Sequence, residues 1–359
     1  MLKTLTVSLG VRSYPIYIGA GLLAEVGDYL AKLPFGVKAL VVADRTTGRL
    51  YADPLRESLS AAGIQARLAL VEDGEQVKSL ASAQALYDQA FDAGLDRQSL
   101  VIALGGGVVG DLAGFVAATF LRGLPFVQVP TTLLAQVDSS VGGKVAVNHP
   151  QGKNLIGAFY QPVCVLADVA LLQTLPPREW GSGLAEVIKY GVIRDEAFFI
   201  WLEQNITQLT AADLERVSYV VQQSCLNKSE IVSLDEKEGG LRAVLNFGHT
   251  IGHAVETLSG YGKYTHGEAV SIGMVAAAKL AGLMDLLSAR KLERLTALLQ
   301  RAGLPLEIPP DLAPEELLAS LYHDKKATGG GLTFVLPTGL GHVIIKNGVD
   351  PQLVRRVLC

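Results

Sequence analysis

The chain has 359 residues, 49% of them apolar and 18% charged, with a formal net charge of −4. That length exceeds what one core usually holds and predicts two domains. The acidic balance argues against a nucleic-acid surface, which needs a basic excess; no apolar run reaches the roughly 18 residues of a membrane span, and the N-terminus has no apolar stretch of secretory type.

Residues 1–10 alternate apolar and polar side chains like a strand. Residues 37–43 read as a buried strand ending at Asp44, 65–71 as a second, and 77–93 as a helix. Residues 99–104 form a further strand running into three glycines, and 125–129 the next, ending at Pro130-Thr131-Thr132. Strands alternating with helices imply a mostly parallel sheet covered on both faces, an α/β domain. Ligands of such sheets bind beyond the carboxyl ends of the strands, where Asp44, the turn of residues 105–111 and Thr131-Thr132 fall. Pro176-Pro177 breaks the pattern. Beyond it the period is mostly 3.6, with helices near 178–193, 211–234, 247–259, 267–285 and 288–302, then short strands at 332–336 and 342–345 and a last helix. The expected architecture is an α/β domain over 1–176 and a mostly helical domain over 177–359, with a cleft between them. Cys164, Cys225 and Cys359 are too scattered for a disulfide framework and fit a reducing cytoplasm.

The densest chemistry lies between Arg242 and Glu268, which holds His249, His253 and His266. His249 and His253 are four apart and share a helix face. With a third ligand from elsewhere they would leave an open position on a metal; the alternative is two histidines satisfied by local hydrogen bonds. Arg242, Asn246, Glu256 and Glu268 nearby favour a site. Gly105-Gly106-Gly107-Val108-Val109-Gly110 fits a dinucleotide turn between a strand and a helix. It lacks the usual acid about 20 residues on, so Asp44 is the candidate for an adenosine ribose and the fold an atypical Rossmann-like one; the alternative is a tight structural turn. Residues 136–144 and 151–154 combine glycines, Lys144, Lys153 and Asn154 in what reads as a loop, suited to an oxyanion or left as solvated polar chain. Glu186 and Lys189 lie one helical turn apart, which on a surface is an ordinary ion pair; Gly181, Gly183 and Gly191 around them allow another backbone to approach. Lys228, 235–238 and 324–326 read as solvated faces.

Taken together, the blocks Asp73-Gly-Glu-Gln-Val-Lys78, 105–111, 130–144, Gly152-Lys-Asn154, Leu175-Pro-Pro-Arg-Glu179, 183–190, 246–253, His266-Gly-Glu268 and Asp324-Lys-Lys326 resemble, in order, the 3-dehydroquinate synthase family. The resemblance spans nearly the whole chain and is closest to the bacterial single-function form. It implies an NAD-binding α/β domain and a metal- and substrate-binding helical domain. Zn2+, or Co2+, which accepts the same donors, would be held by Glu186, His249 and His266, with His253 facing substrate instead. NAD would meet Asp44, Asp73, Gly74, Glu75, Gln76, Val77, Lys78, Gly107, Val108, Val109, Gly110, Asp111, Thr131, Thr132, Lys144, Lys153, Leu171, Leu172, Gln173 and Thr174. Val77 is a minor departure, since close relatives often carry tyrosine there. A phosphorylated sugar acid would meet Asp138, Lys144, Lys153, Asn154, Lys189, Lys228, Arg242, Asn246 and His253, together with Lys325 or Lys326. Arg122 would reach the substrate phosphate of a neighbouring subunit, implying a homodimer.

The implied reaction turns 3-deoxy-D-arabino-heptulosonate 7-phosphate into 3-dehydroquinate and phosphate. It runs by transient oxidation with NAD, β-elimination, re-reduction, ring opening and aldol closure. Two relatives in chemistry compete. A metal- and NAD-dependent polyol dehydrogenase would not need the lysines and Arg242, and a sister sugar-phosphate cyclase without a substrate carboxylate would not need its binders. A non-catalytic nucleotide-binding protein would be expected to lack a metal ligand or the cationic cluster.

Overall fold

The computed structural model describes residues 2–260, 262–325 and 331–359. In chain order the elements are β1 (Lys3–Val7), β2 (Tyr14–Gly19), α1 (Val26–Leu30), β3 (Lys38–Asp44), α2 (Arg45–Ala61), β4 (Gln65–Val71), α3 (Leu80–Asp92), β5 (Leu100–Gly105), α4 (Gly107–Thr119) and β6 (Phe126–Pro130). Then come β7 (Lys144–His149), β8 (Gly152–Phe159), β9 (Cys164–Asp168), α5 (Pro177–Ile193), α6 (Glu196–Asn205), α7 (Leu214–Leu234), α8 (His249–Leu258) and α9 (His266–Leu283). The chain ends with α10 (Ala289–Arg301), α11 (Pro314–Lys325), β10 (Phe334–Gly339), β11 (His342–Lys346) and α12 (Pro351–Leu358).

Two compact units form: Met1–Leu175 with Thr210–Lys237, and Pro176–Leu209 with Glu238–Cys359. One boundary at Pro176-Pro177 was expected, but the chain crosses between units three times. The reason is α7. It packs on β1 and on a single π-helical turn at Ala135–Ser139. Arg12 also pairs with Glu236 just beyond it at 2.5 and 2.6 Å.

The first unit is built on a seven-stranded sheet in the order β1-β2-β9-β6-β5-β3-β4, parallel except for the β1–β2 hairpin. Alternation along β3 explains the two cores. Leu40 and Val42 join α3 and α4 on one face, whereas Ala39, Val41 and Ala43 join α1 and α2 on the other. Each fully buried Val or Leu contributes about 1.5–3 kcal/mol, so a strand apolar on both faces is fixed at the centre. From β3 the chain moves outward to β4, then returns to β5 on the other side of β3 and continues to β6. That reversal opens a crevice beyond the carboxyl ends of β3 and β5. Of the stretches expected as loops, 136–144 and 151–154, the second falls in the antiparallel β7–β8 hairpin, which begins at Lys144. The helix expected from 77 begins at Leu80 because Glu75–Val77 is a 3-10 turn and Ser79 caps the helix.

In the second unit α5 is buried from Ser182 to Ile193. It is flanked by α6 and α9, and the β10–β11 turn docks on its end through Gly341 N–H to Val192 O at 2.8 Å. Among the described residues no helix is long and apolar enough to cross a membrane, and Cys164, Cys225 and Cys359 are free thiols.

Candidate functional site

The second unit carries a metal-type donor set. Glu186 comes from the middle of α5, while His249 and His266 are the first residues of α8 and α9. His249 Nε2 lies 3.7 Å and His266 Nε2 3.6 Å from Glu186 Oε1. Two imidazole nitrogens and a carboxylate about 2.0–2.2 Å from a tetrahedral zinc would stand roughly 3.3–3.6 Å apart, so these residues fit a divalent ion. Their three donor atoms all lie within 4.8 Å of one another.

Local sequence makes this convergence. Gly248, at φ +80°, turns the chain into α8, and a Cβ on Gly273 of α9 would lie 1.9 Å from Gly248 O, so only glycine lets the two helices meet there. Gly267 approaches α5 in the same way, with Ser182 O 2.1 Å from its would-be Cβ and Ser182 Oγ accepting its N–H at 3.0 Å. Thr265 and Glu268 form a reciprocal capping box before His266, and Arg178 grips Glu268 at 2.8 and 2.7 Å. Glu268, expected as a site acid, therefore serves as the helix cap. Ser182 and Arg178 were not expected in these roles. Of the glycines on α5, a Cβ on Gly191 would stand 3.1 Å from the Phe199 backbone, whereas one on Gly181 would meet only Leu304 Cδ2, at 4.0 Å.

Glu186 and Lys189 are an ion pair with 0% and 2% of their side chains exposed, which corrects the surface pair expected from spacing alone. Burial pushes the His249 imidazole well below its ordinary pKa, the Lys189 charge adds to this, and Glu186 opposes it. His249 is thus neutral, with Nδ1 donating to Phe247 O at 3.1 Å. Burial would also lower His266, but hydrogen bonds and charge from Glu186 and Glu256 outweigh it and hold that imidazole at about 9. His253 shares the α8 face, its ring 5.3 Å from that of His249 and exposed to solvent. Arg242, only 1% exposed, lies in the 3-10 turn Leu241–Asn246, which ends on exposed Asn246. Lys326 lies outside the described residues, as do the side chains of Asp324 and Lys325.

The first unit carries the glycine turn and a cationic group. Gly106 caps α4 without a side chain, so the amides of Gly107, Val108 and Val109 open the helix N-terminus at the end of β5. The Val109 side chain is in the core, and Gly110 closes on Gln128, whose Oε1 would stand 2.8 Å from a Cβ there. Asp44 ends β3 and caps α2, accepting from Thr47 N–H at 2.7 Å and Thr47 Oγ1 at 2.9 Å. Its carboxyl is nonetheless raised, because burial outweighs those bonds. Asp73, Gly74 and Gln76 are exposed beyond β4, with Gln76 Nε2 donating to Asp73 O at 2.6 Å. Val77 is buried.

Lys78 Nζ, also buried, bridges Asp111 Oδ2 and Asn154 Oδ1, both at 2.5 Å. Burial raises the Asp111 carboxyl and Lys78 opposes the rise. Asn154 holds a left-handed φ of +58° in β8. Asn148, which nothing in the sequence singled out, ties it to the rest by accepting Asn154 N–H at 2.9 Å and donating to Glu75 Oε1 at 2.7 Å. Lys228, expected on a solvated face, is buried and donates to Asp138 Oδ1 and O, both at 2.7 Å. Lys144 is exposed and Lys153 partly so on the hairpin. Thr131 is buried and Thr132 half-buried after β6. Leu171 and Leu172 point into the core, leaving Gln173 and Thr174 exposed, and Thr174 bonds Tyr51. Arg122 is exposed, with φ +69°.

A Glu–His–His donor set around the buried Glu186 in a helical unit and a glycine turn at the switch point of a parallel sheet define a metal- and nucleotide-site class of protein. Family models of the 3-dehydroquinate synthase N-terminal and C-terminal regions match residues 68–182 and 183–327. The chain is 56% identical over 355 residues to a 3-dehydroquinate synthase of Desulforamulus reducens, covering 99% of each. Among solved structures it is similar to 2-deoxy-scyllo-inosose synthase complexed with carbaglucose-6-phosphate, NAD+ and Co2+, with TM-score 0.89, 28% identity and 99% of each chain covered. It is equally similar to 2-epi-5-epi-valiolone synthase from Streptomyces hygroscopicus with NAD+ and Zn2+ bound, at TM-score 0.89 and 28% identity, covering 98% of this chain and 97% of that one. The chain belongs to the 3-dehydroquinate synthase family.

Proposed function

We propose that the chain converts 3-deoxy-D-arabino-heptulosonate 7-phosphate to 3-dehydroquinate and inorganic phosphate. The observation that carries this reading is the set Glu186, His249 and His266 beside the buried ammonium of Lys189, in a chain similar along its length to 3-dehydroquinate synthases. A zinc or cobalt(II) ion held by these donors supplies a Lewis acid that makes a substrate hydroxyl more acidic. NAD, held against residues 107–111 and Asp44, would supply a hydride acceptor that is regenerated each turnover.

The chain's own groups account for the rest. Lys189 holds a fixed positive charge beside the reacting hydroxyl. Lys144, Lys153 and Asn154 hold the phosphate oxygens through charge-assisted bonds, so the departing phosphate can take the proton from the carbon beside the transient ketone. Arg242 offers a planar fork to the substrate carboxylate, Lys228 and Asn246 also bind the substrate, and His253 faces the ring. Burial of Arg242 supports this, because a buried guanidinium is oriented before the ligand arrives. Arg122 acts on the phosphate of the partner subunit in a homodimer, and its exposed, left-handed position supports that role. The enzyme works in the cytoplasm without a nucleic-acid partner, in keeping with free thiols and an acidic net charge.

The test is to incubate the protein with the heptulosonate phosphate, catalytic NAD and zinc. The expected result is one phosphate and one 3-dehydroquinate per substrate consumed. Turnover of a hexose phosphate but not of the heptulosonate would overturn the substrate assignment.

A further inference from the structure

Both imidazoles of the donor set use Nε2 toward Glu186, so something must hold each ring by Nδ1. For His249 it is the Phe247 carbonyl. For His266 the capping box and the Arg178–Glu268 clamp fix the backbone at the start of α9, but neither chooses between the two flips of the ring. The group on the Nδ1 side is Glu256, whose Oε2 lies 3.4 Å from it. Glu256 is seven residues beyond His249 on α8, on the same face as His249 and His253. Its carboxylate is mostly buried, with 11% of the side chain exposed.

We infer that Glu256 is a positioning residue: its carboxylate accepts the Nδ1–H of His266, which fixes the ring with Nε2 aimed at the site of Glu186. Carboxylates behind ligating histidines set tautomer and orientation, and their loss typically weakens metal binding about 10- to 100-fold. The inference rests on the proposed metal site, and the experiment separates the two. Cobalt(II) and zinc affinities of the purified full-length protein are measured by chelator competition, with the cobalt absorption spectrum recorded, for wild type, Glu256→Ala, Glu256→Gln, His266→Ala and the double variant Glu256→Ala/His266→Ala.

The expected result is one tightly held ion in wild type and about 10- to 100-fold weaker binding with an altered spectrum in Glu256→Ala. Most of that loss should be recovered in Glu256→Gln, whose amide oxygen still accepts from Nδ1. Removing Glu256 should cost nothing further once His266 is gone, since its effect passes through that ring. Unchanged affinity and spectrum in Glu256→Ala would overturn the inference while leaving the metal site standing. Wild type that binds no ion would overturn both. Glu256, His253 and His266 also bring donor atoms within 4.8 Å of one another, so wild type taking two ions where Glu256→Gln takes one would make Glu256 a ligand itself and likewise overturn it.

Discussion

Replacing Gly273 with alanine tests how the fold assembles the donor set. The new Cβ would stand 1.9 Å from Gly248 O and 2.8 Å from Gly252 N, both backbone atoms that no rotamer change can move. Restoring an ordinary van der Waals separation requires α8 and α9 to part by about 1.5 Å. Overpacking of this kind costs about 1–3 kcal/mol. The same displacement would carry His249, next to Gly248, away from His266. Metal ligand distances tolerate only about ±0.2 Å, so zinc affinity is expected to fall by more than about a hundredfold. Gly181→Ala is the control. Its Cβ would meet only Leu304 Cδ2 at 4.0 Å, and alanine within α5 is expected to stabilise by about 0.5–1 kcal/mol. Urea titration of the metal-free proteins and zinc competition with a chromophoric chelator measure both effects. A Gly273→Ala protein with the urea midpoint and zinc affinity of wild type would refute the reasoning.

Other outcomes follow from the buried charges. Lys189→Met breaks a buried ion pair, leaving His266 as the remaining cationic neighbour of Glu186, and is expected to destabilise the metal-free protein by up to about 3–5 kcal/mol; added zinc should recover much of the loss in a thermal melt. Zinc binding is expected to expel the proton that His266 holds at about 9. Apparent affinity should therefore fall about tenfold per pH unit below that value and level off above it, as read by calorimetry in buffers of differing ionisation enthalpy. Arg122→Ala is expected to weaken phosphate binding roughly ten- to hundredfold with zinc content intact. Mixing it with His266→Ala subunits should restore some activity; subunits shown to exchange without restoring any would exclude action in trans.

The central strands were legible because β3 to β6 are short apolar runs ended by glycine, proline or aspartate. The β7–β8 hairpin was not, because Gly152, Gly157 and a left-handed Asn154 break the alternation that marks a strand. Helix α6 was missed although Asp195 is a readable cap, accepting from Phe198 N–H at 2.9 Å. The Glu186–Lys189 spacing looks the same on a surface as in a core. The apolar residues all round α5 were the overlooked sign of burial. Lys228 gives no such sign, because its partner Asp138 lies 90 residues away and only the docking of α7 brings them together. The same non-local packing moved residues 210–237 into the first unit. Spacing alone suggested His249 with His253. His266 enters the set through the start of a different helix, which periodicity within α8 cannot reveal.

The central claim is that NAD is used and returned within each turnover at a site anchored by Glu186, His249 and His266. Following NADH absorbance and phosphate release together, with substrate in large excess over NAD, tests it most directly. The account predicts many phosphates released per NAD, no accumulating NADH, and loss of both activity and bound zinc in His249→Ala. Stoichiometric NADH, or full turnover by protein shown to be metal-free, would contradict it.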